Sequence, residues 1–300
     1  MSTWGIPYQG SKNSIAEDII RYLPKGNRFV DLFGGGFAIS HCALVSNKWN
    51  YVLYNDYSEQ LTKLIIDAIS GKFDYSVFKP EFITREEFHE KKHTNAYIKY
   101  VWSFSNSGKE YLFGKDLEPR KQSIHNWVVF GIKDEWFDKY FYDVDRYIKT
   151  DNIKGRRLLW KKYIEIIKKD KTDKNRVQQL ERLERLANLQ QLQQLERLAN
   201  LQFTYGDYRE YNHLDGDIVY CDPPYEGTAT YDGAGFNHKE FYDWVASREY
   251  VVYFSSYRIS DKRFEMVWAE NKRSLMSGAS ENYNYECIYS NRNLLTENNL

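Results

Sequence analysis

Three hundred residues are enough for one large domain, or for a domain carrying a sizeable insertion. With 42 Lys or Arg balancing 42 Asp or Glu, the chain as a whole is no polycation, so any nucleic-acid contact must come from local charge. No apolar run approaches the roughly 20 residues that span a bilayer, and the first residues lack the basic start and apolar stretch of a secretory signal. Cys42, Cys221 and Cys287 lack metal-ligand spacing and sit among apolar or aromatic neighbours, so buried free thiols, no metal and a reducing cytoplasmic setting are expected.

Ser14 and Glu17 are spaced as a capping box for a helix carrying Ile15, Ile19, Ile20 and Leu23, closed by Pro24 and Gly26. Arg28 to Phe33 reads as a buried strand running into Gly34-Gly35-Gly36, and a helix follows over about Ala38 to Val45. Tyr51 to Tyr54 is the next strand, closed by Asn55-Asp56. Ser58 then starts a helix with Leu61, Leu64, Ile65 and Ala68 on one face, ended by Gly71. This alternation predicts a parallel sheet covered by helices. From about Phe78 to Gln202 it gives way to an aromatic and charged stretch of mixed periods. It resumes with strand-like runs at Phe203–Asp207, Asp217–Cys221 and Tyr250–Phe254, and Glu286–Ser290 is expected as a last edge strand. The expected organisation is one α/β domain of residues 1–77 and 203–300, interrupted by a mainly helical module of residues 78–202.

Two features mark the insert. Between Asp145 and Arg176 stand 12 Lys or Arg against 5 Asp or Glu, enough to neutralise phosphates or simply to form a solvated helix face. Over residues 180–202 a leucine falls at every third position, and Leu183 to Gln190 recurs letter for letter as Leu195 to Gln202. On an α-helix that spacing spreads leucines round the whole cylinder. A 3₁₀ or solenoid-like rod would align them, and a duplicated spacer would need no packing at all.

Asp222-Pro223-Pro224-Tyr225, directly after the strand Asp217–Cys221, carries the sharpest chemistry. The exocyclic amine of adenine is a poor nucleophile because its lone pair is delocalised into the ring. Accepting hydrogen bonds from both amine hydrogens localises that pair; the Asp222 carboxylate supplies one acceptor and the Pro223 carbonyl the other, on a turn stiffened by two proline rings. Tyr225 offers a ring for an extruded base to stack on, worth about 1–3 kcal/mol against the few kcal/mol of flipping it. Asp31-Leu32-Phe33-Gly34-Gly35-Gly36 is a strand entering a glycine turn that lets backbone approach a ligand. It is a poor dinucleotide fingerprint, because Ile39 stands where a third glycine belongs. Asp56 closes the second strand, where a carboxylate can accept ribose hydroxyls, and Asp207 closes the third. Carboxylates at successive parallel strand ends mark the crevice in which such sheets bind ligands.

Together these residues resemble the Dam-like (class D12, alpha-arrangement) DNA N6-adenine methyltransferases, over roughly residues 4–75 and 203–290. Pro7-Tyr8-Gln9-Gly10-Ser11-Lys12 is similar to that family's aromatic-x-Gly-x-Lys opening. The resemblance implies an S-adenosylmethionine-dependent, Rossmann-like sheet with an inserted target-recognition domain, acting on a flipped adenine in double-stranded DNA, in a bacterial or phage-infected bacterial cytoplasm. It puts Tyr8, Lys12, Phe33, Gly34, Gly36, Asp56, Asp207, Tyr208 and Asp222 on the cofactor. A separate restriction endonuclease is a conceivable partner that no residue encodes. In the insert, the mixture of cations and amides around Trp102–Lys109 and beyond makes Asn106, Lys109, Lys115, Arg120, Lys121, Asn126, Arg156, Arg157, Lys161 and Lys162 the expected DNA contacts. Thr228 to Phe236 reads as a loop closing over the base, and Tyr253 to Tyr257 as a wall of the same pocket. Two competing readings are an amine on RNA or a protein glutamine as substrate, for which Asn before Pro-Pro-aromatic is commoner, and a non-catalytic DNA-binding protein on a decayed fold, against which stands the complete set of polar groups.

Overall fold

A computed structural model describes residues 4–167, 181–195, 198–211, 217–226, 235–273 and 283–292. The first part alternates as expected: α1 (Ala16–Tyr22), β1 (Arg28–Asp31), α2 (Ala38–Ser46), β2 (Tyr51–Asp56) and α3 (Glu59–Ile69). Among the described residues, the α-helices that follow are α4 (Arg85–Lys91), α5 (Ala96–Val101), α6 (Glu118–Phe130), α7 (Glu135–Phe141), α8 (Val144–Tyr147), α9 (Ile153–Ile167) and α10 (Glu181–Gln191). The sheet resumes with β3 (Leu201–Tyr205), β4 (Ile218–Cys221), α11 (His238–Ala246), β5 (Val252–Ser256), β6 (Glu265–Arg273) and β7 (Tyr283–Ser290).

The strands form one sheet in the order β3-β2-β1-β4-β5-β7-β6. β1 to β5 pair in parallel, and β7 runs antiparallel to both β5 and β6. Alternate residues serve opposite faces. Phe29, Val52, Tyr220, Tyr253 and Ile288 pack with the apolar sides of α1 and α2. Val30, Leu53, Val219, Cys221, Phe254 and Tyr289 pack with Phe241, Trp244 and Val245 of α11. Because both faces are covered, the central strands are apolar throughout rather than alternating. This is the expected Rossmann-like α/β arrangement, and the strand order reverses between β1 and β4, where such sheets open a crevice at their carboxyl ends.

Two local expectations are corrected. Ser14 and Glu17 form no capping box: α1 begins after Ile15 without a side-chain cap, and the Glu17 carboxylate instead accepts from the Trp4 indole N–H at 3.2 Å. The run Glu286–Ser290 is no edge strand, since β7 lies between β5 and β6. The edge at that end of the sheet is β6, whose polar second half (Glu270 to Arg273) does not read as a strand. All three cysteines are buried and unpaired, and burial pushes the Cys42 thiol up to about 12.

The chain divides into two compact units, one of residues 1–5, 10–62 and 196–300, the other of residues 6–9 and 63–195. The division thus falls inside α3 and just before β3, rather than at 77/78 and 202/203. The second unit has its own aromatic core, in which Trp127, Phe137, Phe141, Trp160 and Tyr163 pack together. Its α9 turns Trp160, Tyr163 and Ile164 inward and leaves Lys161 and Lys162 exposed.

The two copies of Leu-Glu-Arg-Leu-Ala-Asn-Leu-Gln fold differently. Residues 183–190 lie wholly in α10, with Leu186 and Leu189 buried, and Leu192 is buried in the 3₁₀ turn that follows. In the second copy Leu195 is extended, Leu198–Asn200 is a 3₁₀ turn, and Leu201 and Gln202 open β3. Neither a continuous rod nor an unpacked spacer survives this. Leu180 lies outside the described residues.

Candidate active site

The loop after β1 is built around one ring and one carboxylate. The Gly34 N–H donates to the Asn55 carbonyl at 2.8 Å, and a Cβ on Gly34 would come within 2.2 Å of the Tyr54 ring, so only glycine fits. Gly35 takes φ +47 and its N–H donates to Asp56 Oδ2 at 2.9 Å, while Asp56 Oδ1 accepts from the Ser58 N–H at 2.8 Å. Asp56 therefore ties the glycine loop to the end of β2 and to the start of α3.

At the end of β3, the Asp207 carboxylate is engaged by Arg209, whose Nε lies 2.9 Å from Oδ1 and whose Nη2 lies 2.5 Å from Oδ2. Those bonds hold the Asp207 carboxyl below the usual carboxylate range, so it stays ionised. Sequence reasoning had left this guanidinium out. Tyr208 packs against Phe33, ring centroids 5.2 Å apart, and Phe236 joins the pair at 5.9 Å from Phe33. These rings give the strand ends an apolar wall. Of the expected closing loop, residues 228–234 lie outside the described set.

Around β4 the charges converge. The Lys12 ammonium lies 2.9 Å from Asp222 Oδ1 and 3.5 Å from Glu286 Oε1. It also sits 4.7 Å over the Tyr225 ring, a cation–π contact. The Tyr225 hydroxyl donates to Glu286 and lies 3.2 Å from Asp222 Oδ1. The Tyr257 ring meets that of Tyr225 nearly edge-on at 4.8 Å. His238 Nε2 is 2.8 Å from the Pro224 carbonyl, which holds the second proline of the turn. Burial is the main force raising the Asp222 carboxyl above its ordinary value, with Lys12 opposing it and Glu286 adding to it. A raised carboxyl is a more basic carboxylate, hence a stronger acceptor.

The structure thus brings Lys12, Asp222 and Tyr225 together, and adds Glu286 and His238, which sequence reasoning missed. Glu286 stands alone in an aromatic strand with no motif around it. Tyr8, expected on the cofactor, groups with the second unit, its ring 5.4 Å from that of Tyr100. Among the described residues no group of three or more His, Cys, Asp or Glu side chains is placed to hold a metal ion, and no helix is long and apolar enough to cross a membrane.

Asp31 lies beneath the site, 1 % exposed, accepting from the Ser40 hydroxyl at 2.7 Å. Burial, reinforced by Asp222 and Asp56, pushes its carboxyl up to about 7 from an ordinary 3.8. A folded-state value above the unfolded one means stability that is complete below the ordinary value and lost as pH rises through the raised one. The wild type is therefore expected to lose melting temperature between about pH 4 and pH 8, and Asp31→Asn to flatten that fall. Parallel melting curves for the two proteins across that window are the check; an equally steep fall in the variant would contradict a buried, protonated Asp31.

In the second unit Lys109, Lys115, Arg120, Lys161 and Lys162 are exposed, and Asn106, Asn126 and Arg157 are half-buried. Two expected DNA contacts are corrected. Lys121 is 1 % exposed, with its ammonium 5.3 Å from the centre of the Phe113 ring. Arg156 is 9 % exposed and donates to the Val128 and Val129 carbonyls at 2.8 and 2.9 Å, satisfying the C-terminal end of α6. Neither cation reaches a surface where a phosphate could meet it.

The D12 class N6 adenine-specific DNA methyltransferase model matches residues 8–277, nine-tenths of the chain. No curated relative matches at a significant level. A match over that span, on a sheet whose crevice holds Asp222-Pro223-Pro224-Tyr225, settles kinship: the chain belongs to the D12 class of N6 adenine-specific DNA methyltransferases.

Proposed function

We propose that the chain methylates N6 of an adenine swung out of double-stranded DNA, with S-adenosylmethionine as donor and within a defined sequence context. The observation that carries this is the Asp222 carboxylate at the β4 end of the crevice, its side chain 17 % exposed, with both Lys12 and the Tyr225 hydroxyl approaching Oδ1. Among the described residues, Oδ2 is then the oxygen left for an incoming amine hydrogen. Because His238 holds the Pro224 carbonyl, the second acceptor falls to the carbonyl of Pro223. Together they draw the amine toward the tetrahedral geometry that frees its lone pair.

S-adenosylmethionine, when bound, supplies an electrophilic methyl group on a cationic sulfonium. The residues present suit such a ligand. One ammonium and two carboxylates leave the Lys12–Asp222–Glu286 cluster one negative charge in excess, the sign a sulfonium requires. Phe33 and Tyr208 offer aromatic surface for a purine, and we assign the ribose hydroxyls to Asp56, the carboxylate that ends β2 beside the glycine loop. Gly34 and Gly36 keep side chains off the loop between them, and Asp207, pinned by Arg209, presents its remaining lone pairs to the adenine amine. In the second unit Lys109, Lys115, Arg120, Lys161 and Lys162 are the cations we assign to phosphates, with Asn106, Asn126 and Arg157 as candidates for base edges.

Incubation with methyl-tritiated S-adenosylmethionine and unmethylated duplex DNA should label the DNA. Nucleoside analysis should find all the label in N6-methyladenine, and sequencing should find it in one context. Label appearing on RNA or on protein glutamine, with none on DNA, would refute the assignment of substrate.

A further inference from the structure

Glu286 is 4 % exposed on β7, far along the chain from the residues it touches. The groups that face it are Lys12, Asp222, Tyr225 and Tyr220, with Glu270 its register partner on β6. A phenol has one proton to give, yet the Tyr225 hydroxyl has two carboxylates within reach. Its bond to Glu286 is the shorter, and the one to Asp222 is 3.2 Å. The Lys12 ammonium is likewise shared, at 2.9 Å from Asp222 and 3.5 Å from Glu286. Each donor that Glu286 engages is one that Asp222 does not fully absorb.

We propose that Glu286 is a positioning residue for the methyl transfer: by accepting the Tyr225 hydrogen bond and sharing the Lys12 charge, it keeps Asp222 an available acceptor and gives the pocket its excess negative charge, which favours a cationic methyl donor over its neutral thioether product. This rests on the donor assigned above. The geometry of the reaction links the two effects. Nitrogen, methyl carbon and sulfur must lie in line for the transfer, so a carboxylate that holds the amine also stands close to the sulfonium. As the methyl moves, the bond from carbon to sulfur breaks and its pair stays on sulfur, while a bond forms to the N6 lone pair. The positive charge passes from sulfur to nitrogen, which then sheds a proton to base or solvent. The pocket's excess charge favours the donor before transfer and ceases to hold the thioether after it.

Glu286→Gln keeps the shape and removes the charge. With the fold verified by its melting curve, kcat should fall by about ten- to a hundredfold, the range spanned by hydrogen bonds to charged groups. The acid limb of the kcat profile should move to lower pH, because a negative neighbour that raised the Asp222 carboxyl is gone. Calorimetry should show the affinity ratio of S-adenosylmethionine to S-adenosylhomocysteine reduced by about tenfold, the effect of one charge at short range. A merely structural role lowers kcat but moves neither the limb nor the ratio, and that pattern would overturn the proposal. Should Glu286→Gln fail to fold, Glu286→Asp decides: its shorter arm releases the Tyr225 hydroxyl to Asp222 but keeps the charge, so a lower kcat with the acid limb moved to lower pH and the ratio retained supports the proposal, and wild-type kcat or an unmoved limb overturns it. If the wild type itself binds no S-adenosylmethionine while still methylating DNA from another source, the donor assignment falls and this proposal with it.

Discussion

Asp222→Ala is expected to lower methyl transfer by on the order of 10²–10³-fold or more, the cost of removing one preorganised polar group from a site where charge develops. The substitution leaves the turn intact, since Pro223 and Pro224 still fix its backbone. It leaves the fold intact as well: the Lys12 ammonium retains Glu286 as a partner, so no unpaired charge is stranded. Duplex affinity should change little, because phosphate contacts dominate it and Asp222 makes none. Single-turnover rates and gel-shift titrations on the same preparations separate these two effects. Near-normal turnover would remove Asp222 from the mechanism; loss of DNA binding in step with activity would point to damage at a distance. Asp222→Asn sharpens the test, since the amide retains an acceptor oxygen without the charge. It should fall between alanine and wild type, and its rate should lose the acid limb that a raised carboxyl imposes on the wild-type profile.

What could be read in the sequence was what a short stretch of chain determines by itself. The apolar runs of β1, β2 and β4 announce strands buried on both faces, and Gly34 announces a place where a side chain cannot fit, here because of the Tyr54 ring. Asp222 to Tyr225 is legible because its four residues carry both the acceptors and the rigidity. Interactions between distant segments were not legible. Glu286 meets the Tyr225 hydroxyl across 61 residues of chain, and nothing in Tyr285-Glu286-Cys287 marks a functional carboxylate. Lys121 and Arg156 looked like surface cations because composition does not reveal which side of a helix is packed. Their aliphatic stems suit burial and their charged heads find a ring and two carbonyls. Glu17 failed as a capping residue for the same reason, having a tertiary partner in Trp4. The leucine repeat is the extreme case. Identical octapeptides cannot be told apart by any local preference, so their different conformations are imposed by what each must pack against.

Deleting Leu183 to Gln194 tests that last conclusion, because it removes one twelve-residue unit and rejoins identical sequence. A single octapeptide then runs straight into Phe203. In the intact chain the two copies have incompatible duties. The first lies in α10, where Arg185 donates to the Val101 and Ser103 carbonyls at 2.9 and 2.7 Å and Gln190 donates to the Phe73 carbonyl at 2.6 Å. The second ends as strand, with Leu201 and Gln202 in register with Val52 and Leu53 of β2. After the deletion Leu201 and Gln202 are still claimed by β3, so nothing replaces Leu189, Gln190 or the buried Leu192 in the second unit. Removing a buried leucine side chain costs about 2–5 kcal/mol, and two of them approach the roughly 5–15 kcal/mol that holds a domain folded. The expected result is a second unit that no longer melts cooperatively and a protein that no longer methylates DNA. Calorimetric binding of S-adenosylmethionine should persist, because β3 and the rest of the crevice belong to the other unit. Wild-type methylation by the shortened chain would show that one copy can serve both roles, and would return the repeat to the status of a spacer.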